Sequence, residues 1–319
     1  MLIPAAARGT INAVACRPPT PVIRRRRVVH GARYILSGAA EYRHVTHALP
    51  VAELCRAALM GIFGSLYPLP DGRRGRSAVL AGKNDAGTPL SGHHHAYYLP
   101  TDENADGLLD HITVYAHDGF DAEHQTALGG LQFLRLPDRE QCLELELASM
   151  GMAGDLNAGP LAQALCWQSA TPYVATRFAR TRGKNRVTSR VEFLTANLAG
   201  QLTEFCQQHG GVDVAAIEPI VRDGVFYHPV PGGAAVNDYM RSRLRRVDDG
   251  GMRYGGYFRV RFTRPVHGPV AAGHNAHYGM GLFLPAGEIN PPETGRSGTL
   301  PGPGFRVDFS AGAVPAPGE

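Results

Sequence analysis

The sequence predicts an α+β chain of two tandem ferredoxin-like domains with antiparallel sheets. Three observations predict it. The first half reads strand, helix, strand, strand, helix, strand. The second half repeats the theme more loosely, with a strand, a long amphipathic helix and further strands. A chain of 319 residues with 44% hydrophobic content is long enough to bury two cores of ordinary size. The expected divisions are a flexible basic lead-in over 1–31, a first domain with a histidine cassette over 32–163, a second domain with a glycine-rich loop over 164–301, and a disordered tail over 302–319.

In the first half, ARYILSG at 32–38 has the composition of a short strand. Thr46 is placed to cap a helix in which Val51, Leu54, Cys55, Ala58, Leu59, Ile62 and Phe63 recur at helical spacing. A Gly/Arg/Pro-rich loop over 68–92 leads to a cassette strand over 93–99, an acidic turn and a second strand over 111–115. A helix capped by Asp121 follows, and then the alternating run CLELELA at 142–148. In the second half, strand signals cover 164–174. Ser189 and Glu192 then form a capping box for a helix lined by Val191, Leu194, Leu198, Leu202 and Phe205, which Gly210 and Gly211 stop. Strands near 212–220, 257–263 and 279–284 complete the second sheet.

Charge and cysteine usage narrow the function classes. Only Lys83 and Lys184 among the 32 basic residues are lysines, so the net charge of +4 is carried by guanidinium, which binds phosphate in bidentate fashion and stacks on bases. Arg24 to Arg27 form a basic block without amphipathic spacing. Cys16, Cys55, Cys142, Cys166 and Cys206 include no CxxC pair, which points away from a disulfide framework and from a thiolate zinc site. No apolar run is expected to reach the roughly 20 residues that span a bilayer, and the start lacks the order of a secretory signal. A cytoplasmic protein with no membrane partner is the expectation.

The chemistry concentrates in GHHHAYYLP at 92–100. On a strand, residues two apart share a face, so His93, His95 and Tyr97 project together and His94 and Tyr98 oppositely. A symmetric hairpin centred on Asn104 sets His111 opposite Tyr97 and adds Tyr115 to that face. Such a cluster suits RNA cleavage by the ribose 2′-hydroxyl. One imidazole takes its proton, an acid protonates the leaving 5′-oxygen, and a cation steadies the charged phosphorane. His93, His95, His111 and Tyr97 are therefore the candidate catalytic residues, with no metal and no cofactor. A metal-dependent hydrolase using His93, His95 and Asp102 as ligands is the competing reading.

Between the two strands, TDENADGLLD follows half of a calcium-loop template, but Thr113 stands where the bidentate glutamate belongs, so a turn whose carboxylates cap backbone amides is the simpler reading. In GPVAAGHNAHYGMGLFLP at 268–285, Gly273, His274, His277, Gly279 and Gly281 precede a strand, and glycines there let backbone approach RNA phosphates. The loop carrying Arg177, Arg180, Arg182, Lys184 and Arg186 is a second candidate RNA contact.

These motifs carry a family resemblance. GHHHAYYLPTDENADGLLDHITVYA resembles the GHxHAxxLPxDxDxDGxxDH signature of the type I-G (formerly I-U) CRISPR-associated Cas-six repeat endoribonuclease. GPVAAGHNAHYGMGLF resembles that family's C-terminal glycine-rich motif, WQSATPYV from Trp167 is similar to its WxSxTPFV element, and HALPVAELCRAALMG to its first helix. The likeness runs from about Ala32 to Pro285 with its motifs in order. It implies a repeat-associated mysterious protein (RAMP) fold and metal-independent cutting of the CRISPR repeat in precursor RNA, leaving a 2′,3′-cyclic phosphate and a 5′-hydroxyl. By position, His93 and His95 match the family's paired histidines, and Asp102, Asp106, Asp110 and His111 its acidic turn. Gly273, His277, Gly279 and Gly281 match the glycine-rich segment, whereas His94 and Tyr97 fall at variable positions. The basic element departs from the family pattern as ATRFARTRGKNR, leaving open which of its cations contacts RNA. Related nucleases often draw a catalytic histidine from near the first helix, which keeps His44 and His47 in play. In the family this unit is commonly the C-terminal half of a chain whose other half resembles the Cas-five handle-binding subunit. A stand-alone protein, or a separate Cas-five-like polypeptide among other type I effector subunits, is the corresponding expectation. A catalytically silent subunit that holds crRNA in such a complex is the alternative function.

Overall fold

The computed structural model describes residues 28–84, 87–90, 95–136, 141–180, 182–183, 187–230, 232–243 and 250–287. Most of the expected lead-in and the whole tail, together with His93, His94, Lys184 and Arg186, lie outside the described residues.

The first half runs β1 (Val29–Gly38), α1 (Ala48–Leu66), α2 (Ala78–Ala81), β2 (Tyr97–Thr101), β3 (His111–Phe120), α3 (Ala122–Gly129), β4 (Phe133–Arg135) and β5 (Cys142–Gly151). Its sheet has the order β2-β3-β1-β5-β4, with antiparallel pairing throughout. Leaving aside the short β4, the first and third main strands are central, which is the ferredoxin-like arrangement. The second half runs β6 (Gln163–Ser169), β7 (Tyr173–Val174), α4 (Arg190–Gln208), β8 (Val214–Pro219), β9 (Val221–Arg222), β10 (Val225–Phe226), β11 (Gly255–Gly256), β12 (Phe258–His267) and β13 (Phe283–Pro285). Its main sheet has the order β13-β6-β12-β8, the same arrangement read from the other edge. The predicted fold class is therefore the observed one.

Helix α1 forms because its apolar residues return every third or fourth position. Val51, Cys55, Leu59 and Phe63 are buried in the first core, each large side chain contributing roughly 1.5–3 kcal/mol by leaving water. The segment Val45–Leu66 is long and apolar enough to cross a membrane, contrary to the expectation that no such run exists. Its apolarity has a local cause: half of that stretch is buried, and α1 packs on β2, β4 and α3. The cap also differs from expectation. Thr46 accepts nothing as a cap; the chain enters through a 3-10 turn, Val45–His47, whose leading residue His44 receives the Thr46 amide on its ring.

Asp121 does cap α3, accepting the amides of Glu123 and His124, and Ser189 caps α4 through the Glu192 amide. Leu194, Leu198 and Leu202 on α4 are buried in the second core with Trp167, Phe258 and Phe262. The second half lacks a counterpart of α3. Between β12 and β13 stands the glycine-rich segment, whose regular part is the 3-10 turn Ala276–Tyr278.

A third cluster of Tyr97, Leu99, Tyr115, Leu156, Leu161 and Leu282 draws on both halves and joins them.

Candidate functional site

The cassette strand begins at Tyr97, four residues later than expected, and His95 sits in the bend before it. The hairpin register differs as well. Tyr97 faces Tyr115, and His111 faces Thr101. The turn is centred on Asp106 and not on Asn104, with Ala105 and Gly107 in left-handed conformation on either side of it. His111 keeps its predicted face but stands four residues along it, about 13 Å from the Tyr97–Tyr115 pair. There its Nδ1 lies 2.8 Å from Asp110 Oδ1, which removes it from the cluster.

What gathers around Tyr97 comes instead from the glycine-rich segment. The His277 ring stacks on His95 at 3.7 Å and on Tyr97 at 3.8 Å, near-parallel to both, so it is held between them. His277 Nδ1 also approaches the Ala96 carbonyl. Gly82 is left-handed at φ 69°, and a side chain there would press against the His95 ring at 3.0 Å.

The glycines of the segment are used for contact with protein. A Cβ at Gly281 would lie 1.9 Å from the Ala272 carbonyl, one at Gly273 2.5 Å from the Val174 carbonyl, and one at Gly279 3.0 Å from Pro100. The amides of Ala272, His274, Ala276, Tyr278, Gly279, Met280 and Gly281 are all donated to protein carbonyls. The expectation that this backbone cradles phosphate therefore needs correcting: most of its donors are already engaged.

A cleft of about 450 Å³ opens beside this stack, a volume in the range of small-molecule and nucleotide sites. Tyr97, Tyr115 and His117 form its first-half wall; Gln201, Glu204 and Phe205 from α4 and His209 just past its end form the facing one, and Gly273, Ala276 and His277 the floor. Burial pushes the Tyr97 phenol well above its ordinary pKa, with Tyr115 and Glu204 acting in the same direction. Tyr115 is raised by burial and by Asp118. Both phenols stay protonated donors at neutral pH. Gln201 Nε2 donates to Thr176 Oγ1, while its buried Oε1 has no hydrogen-bond partner among the described residues.

Thr176 lines the cleft and Arg177 follows it, close enough to act on the buried Tyr173 phenol. Arg177, Arg180 and Arg182 are exposed. Arg253 caps the same region, donating to the Ala175 and Thr176 carbonyls and covering the Phe178 ring at 4.4 Å.

The acidic turn faces a different cleft, of about 470 Å³, with Gln168, Ser169, Thr171 and His228. Its carboxylates serve the backbone. Asp102 accepts the Asp106 and Gly107 amides, Asp106 that of Leu108, and Asp110 those of Glu103 and Asn104. Glu103 pairs with the buried Arg33 at 3.0 Å. Burial raises the Asp102 pKa against the lowering effect of those amides. Strand β2 separates His95 from Asp102 by on the order of 20 Å, so the two cannot share an ion, and the metal-hydrolase reading loses a ligand. Among the described residues no three His, Cys, Asp or Glu side chains converge as a metal site. His44 and His47 lie at the start of α1; burial, and then His44, lower the His47 pKa.

His117 and His209 escaped the sequence reading. A period-two continuation from Tyr115 signals His117, but the predicted strand stops at Tyr115, whereas β3 runs on to Phe120. His209 follows the helix stop, where the following glycines read only as a terminator.

No family model matches the chain, and no curated protein matches it. Among solved structures, a Cas6 product complex aligns with a TM-score of 0.38 and 14% identity, covering 81% of this chain and 99% of that one.

Proposed function

We propose that this chain binds CRISPR repeat RNA in the cleft beside β2 and cuts it within the repeat by attack of a ribose 2′-hydroxyl, yielding mature guide RNA with a 2′,3′-cyclic phosphate and a 5′-hydroxyl. One observation carries the reading: imidazoles and phenols from β2, β3, the end of α4 and the glycine-rich segment converge on one cleft, with the exposed Arg177 next in sequence to Thr176 in its lining. Phosphate held by that guanidinium places a phosphodiester against groups able to give and take protons. The ordered sequence motifs support the repeat as substrate, and the chain acts in the cytoplasm, either alone or beside a separate Cas-five-like subunit. No resident metal or cofactor is part of the reaction.

A second reading, a silent crRNA-binding subunit, draws support from the His95–His277–Tyr97 stack, in which cassette side chains are used for packing. Incubation of the purified protein with cognate repeat RNA in EDTA separates the two. Cleavage at one position, with a cyclic phosphate on the upstream product, is expected. Intact RNA retained in a stable complex favours the silent subunit, and cleavage only on addition of a divalent ion overturns both.

A further inference from the structure

Resting on the cleavage reading above, we propose that His117 and His209 are the proton-transfer pair of the cleft, with His209 as the base toward the 2′-hydroxyl and His117 as the acid toward the leaving 5′-oxygen. The two rings come from opposite walls, one on β3 of the first half and one at the end of α4 in the second. Their centroids are 6.4 Å apart at 57°. That spacing is too long for the rings to bond each other and short enough for both to reach oxygens of one phosphodiester at hydrogen-bond distance.

The tautomer of His209 is fixed by its surroundings. Nδ1 lies 2.8 Å from the Phe205 carbonyl, and a carbonyl only accepts, so Nδ1 carries the hydrogen and Nε2 keeps its lone pair. Stacking on Phe205 at 3.9 Å holds the ring plane. Burial lowers the His209 pKa, the carbonyl bond opposes this, and the nearness of His117 lowers it further; the net direction is down, which keeps the ring neutral at neutral pH. His117 is exposed at the mouth, where water can exchange its proton. The charged and titratable groups on the surrounding elements are Tyr97 on β2, Tyr115 and Asp118 on β3, Glu204 on α4, Arg264 on β12, which donates to the Gly210 carbonyl next to His209, His277 on the loop and Arg177 beyond Thr176. Arg177 offers a cation to the phosphate.

In the step itself, the 2′-O–H proton passes to His209 Nε2 as the O2′–P bond forms. The P–O5′ bond breaks and its electron pair takes the proton of His117. Cyclic phosphate, a 5′-hydroxyl, protonated His209 and neutral His117 result, and exchange with water restores both rings.

The test measures single-turnover cleavage of cognate repeat RNA in EDTA by wild type, His117→Ala, His209→Ala and His209→Gln, with RNA affinity and thermal unfolding of each. The glutamine can still donate to the Phe205 carbonyl and guards against a folding defect. Each variant is expected to lose about 10²–10⁴-fold in rate with affinity within about threefold. In the wild-type pH–rate profile, the acid limb reports His209 losing its proton, and His209→Gln removes that limb. An active wild type whose folded His117→Ala and His209→Gln variants cleave within threefold of it overturns the pair while leaving the cleavage reading in place. An inactive wild type overturns that reading, and the pair with it.

Discussion

The two halves share the order of their main strands and differ where the second helix of the motif belongs. Where the first half carries α3 between β3 and β4, the second carries a left-handed, glycine-rich loop between β12 and β13. A helix covers its own sheet, as α3 does through Ala127 and Leu128. The loop is thin enough to let β2 of the other half come in beside it, with Gly279 against Pro100 and His277 between His95 and Tyr97. Omission of one helix thus joins the halves and leaves the cleft open along the seam.

The largest way to break that difference is to give the loop a side chain it cannot hold. Gly281→Val puts a Cβ 1.9 Å from the Ala272 carbonyl at φ 59°. A stability loss of about 3 kcal/mol or more in denaturant unfolding is expected, together with loss of RNA cleavage. Next comes the seam. His277→Ala removes both stacks and should cost on the order of 1–2 kcal/mol, whereas His277→Phe keeps the rings apposed and should recover much of it. Equal losses in the two variants would show that stacking is not what holds the loop to β2.

The smallest effect belongs to the first half. Asp121→Ala removes the cap that the Glu123 and His124 amides donate to, a loss of about 1 kcal/mol expected in thermal unfolding with cleavage retained. Burial opposes ionisation of Asp121, but the His124 amide and ring and the Glu123 amide outweigh it and hold the carboxyl below its usual pKa. Its contribution is therefore present above the ordinary carboxylate range and lost as pH falls through the depressed folded value. The wild type should lose its advantage over Asp121→Ala on acidification, a convergence that stability measured from pH 7 to pH 2 would reveal.

Patterns read along one element were legible in advance. The apolar spacing of α1 and α4, the Asp121 and Ser189 caps and the alternation of β5 follow from local sequence. The cassette was found, and Tyr97 does line the cleft, but the grouping around it depends on register and on chain returning from far away. A nine-residue turn can set β2 against β3 in several registers, and only the packed hairpin selects Tyr97 opposite Tyr115. No local signal ties His277 to His95, or His209 to His117, because each pair is brought together by the docking of one half on the other. The acidic turn had the opposite character: its carboxylates answer amides a few residues away, and the sequence was enough to read them as scaffold.

Helix α1 has a consequence for how the protein comes apart. Its Val51, Cys55 and Leu59 belong to the first core, while Leu49, its second residue, is fully buried in the second. One rigid rod is thus anchored in two places, and neither half can melt without exposing part of the other. A single calorimetric transition should result where two folding units would ordinarily give two, and a chain severed between β5 and β6 should yield fragments that recover solubility only when mixed.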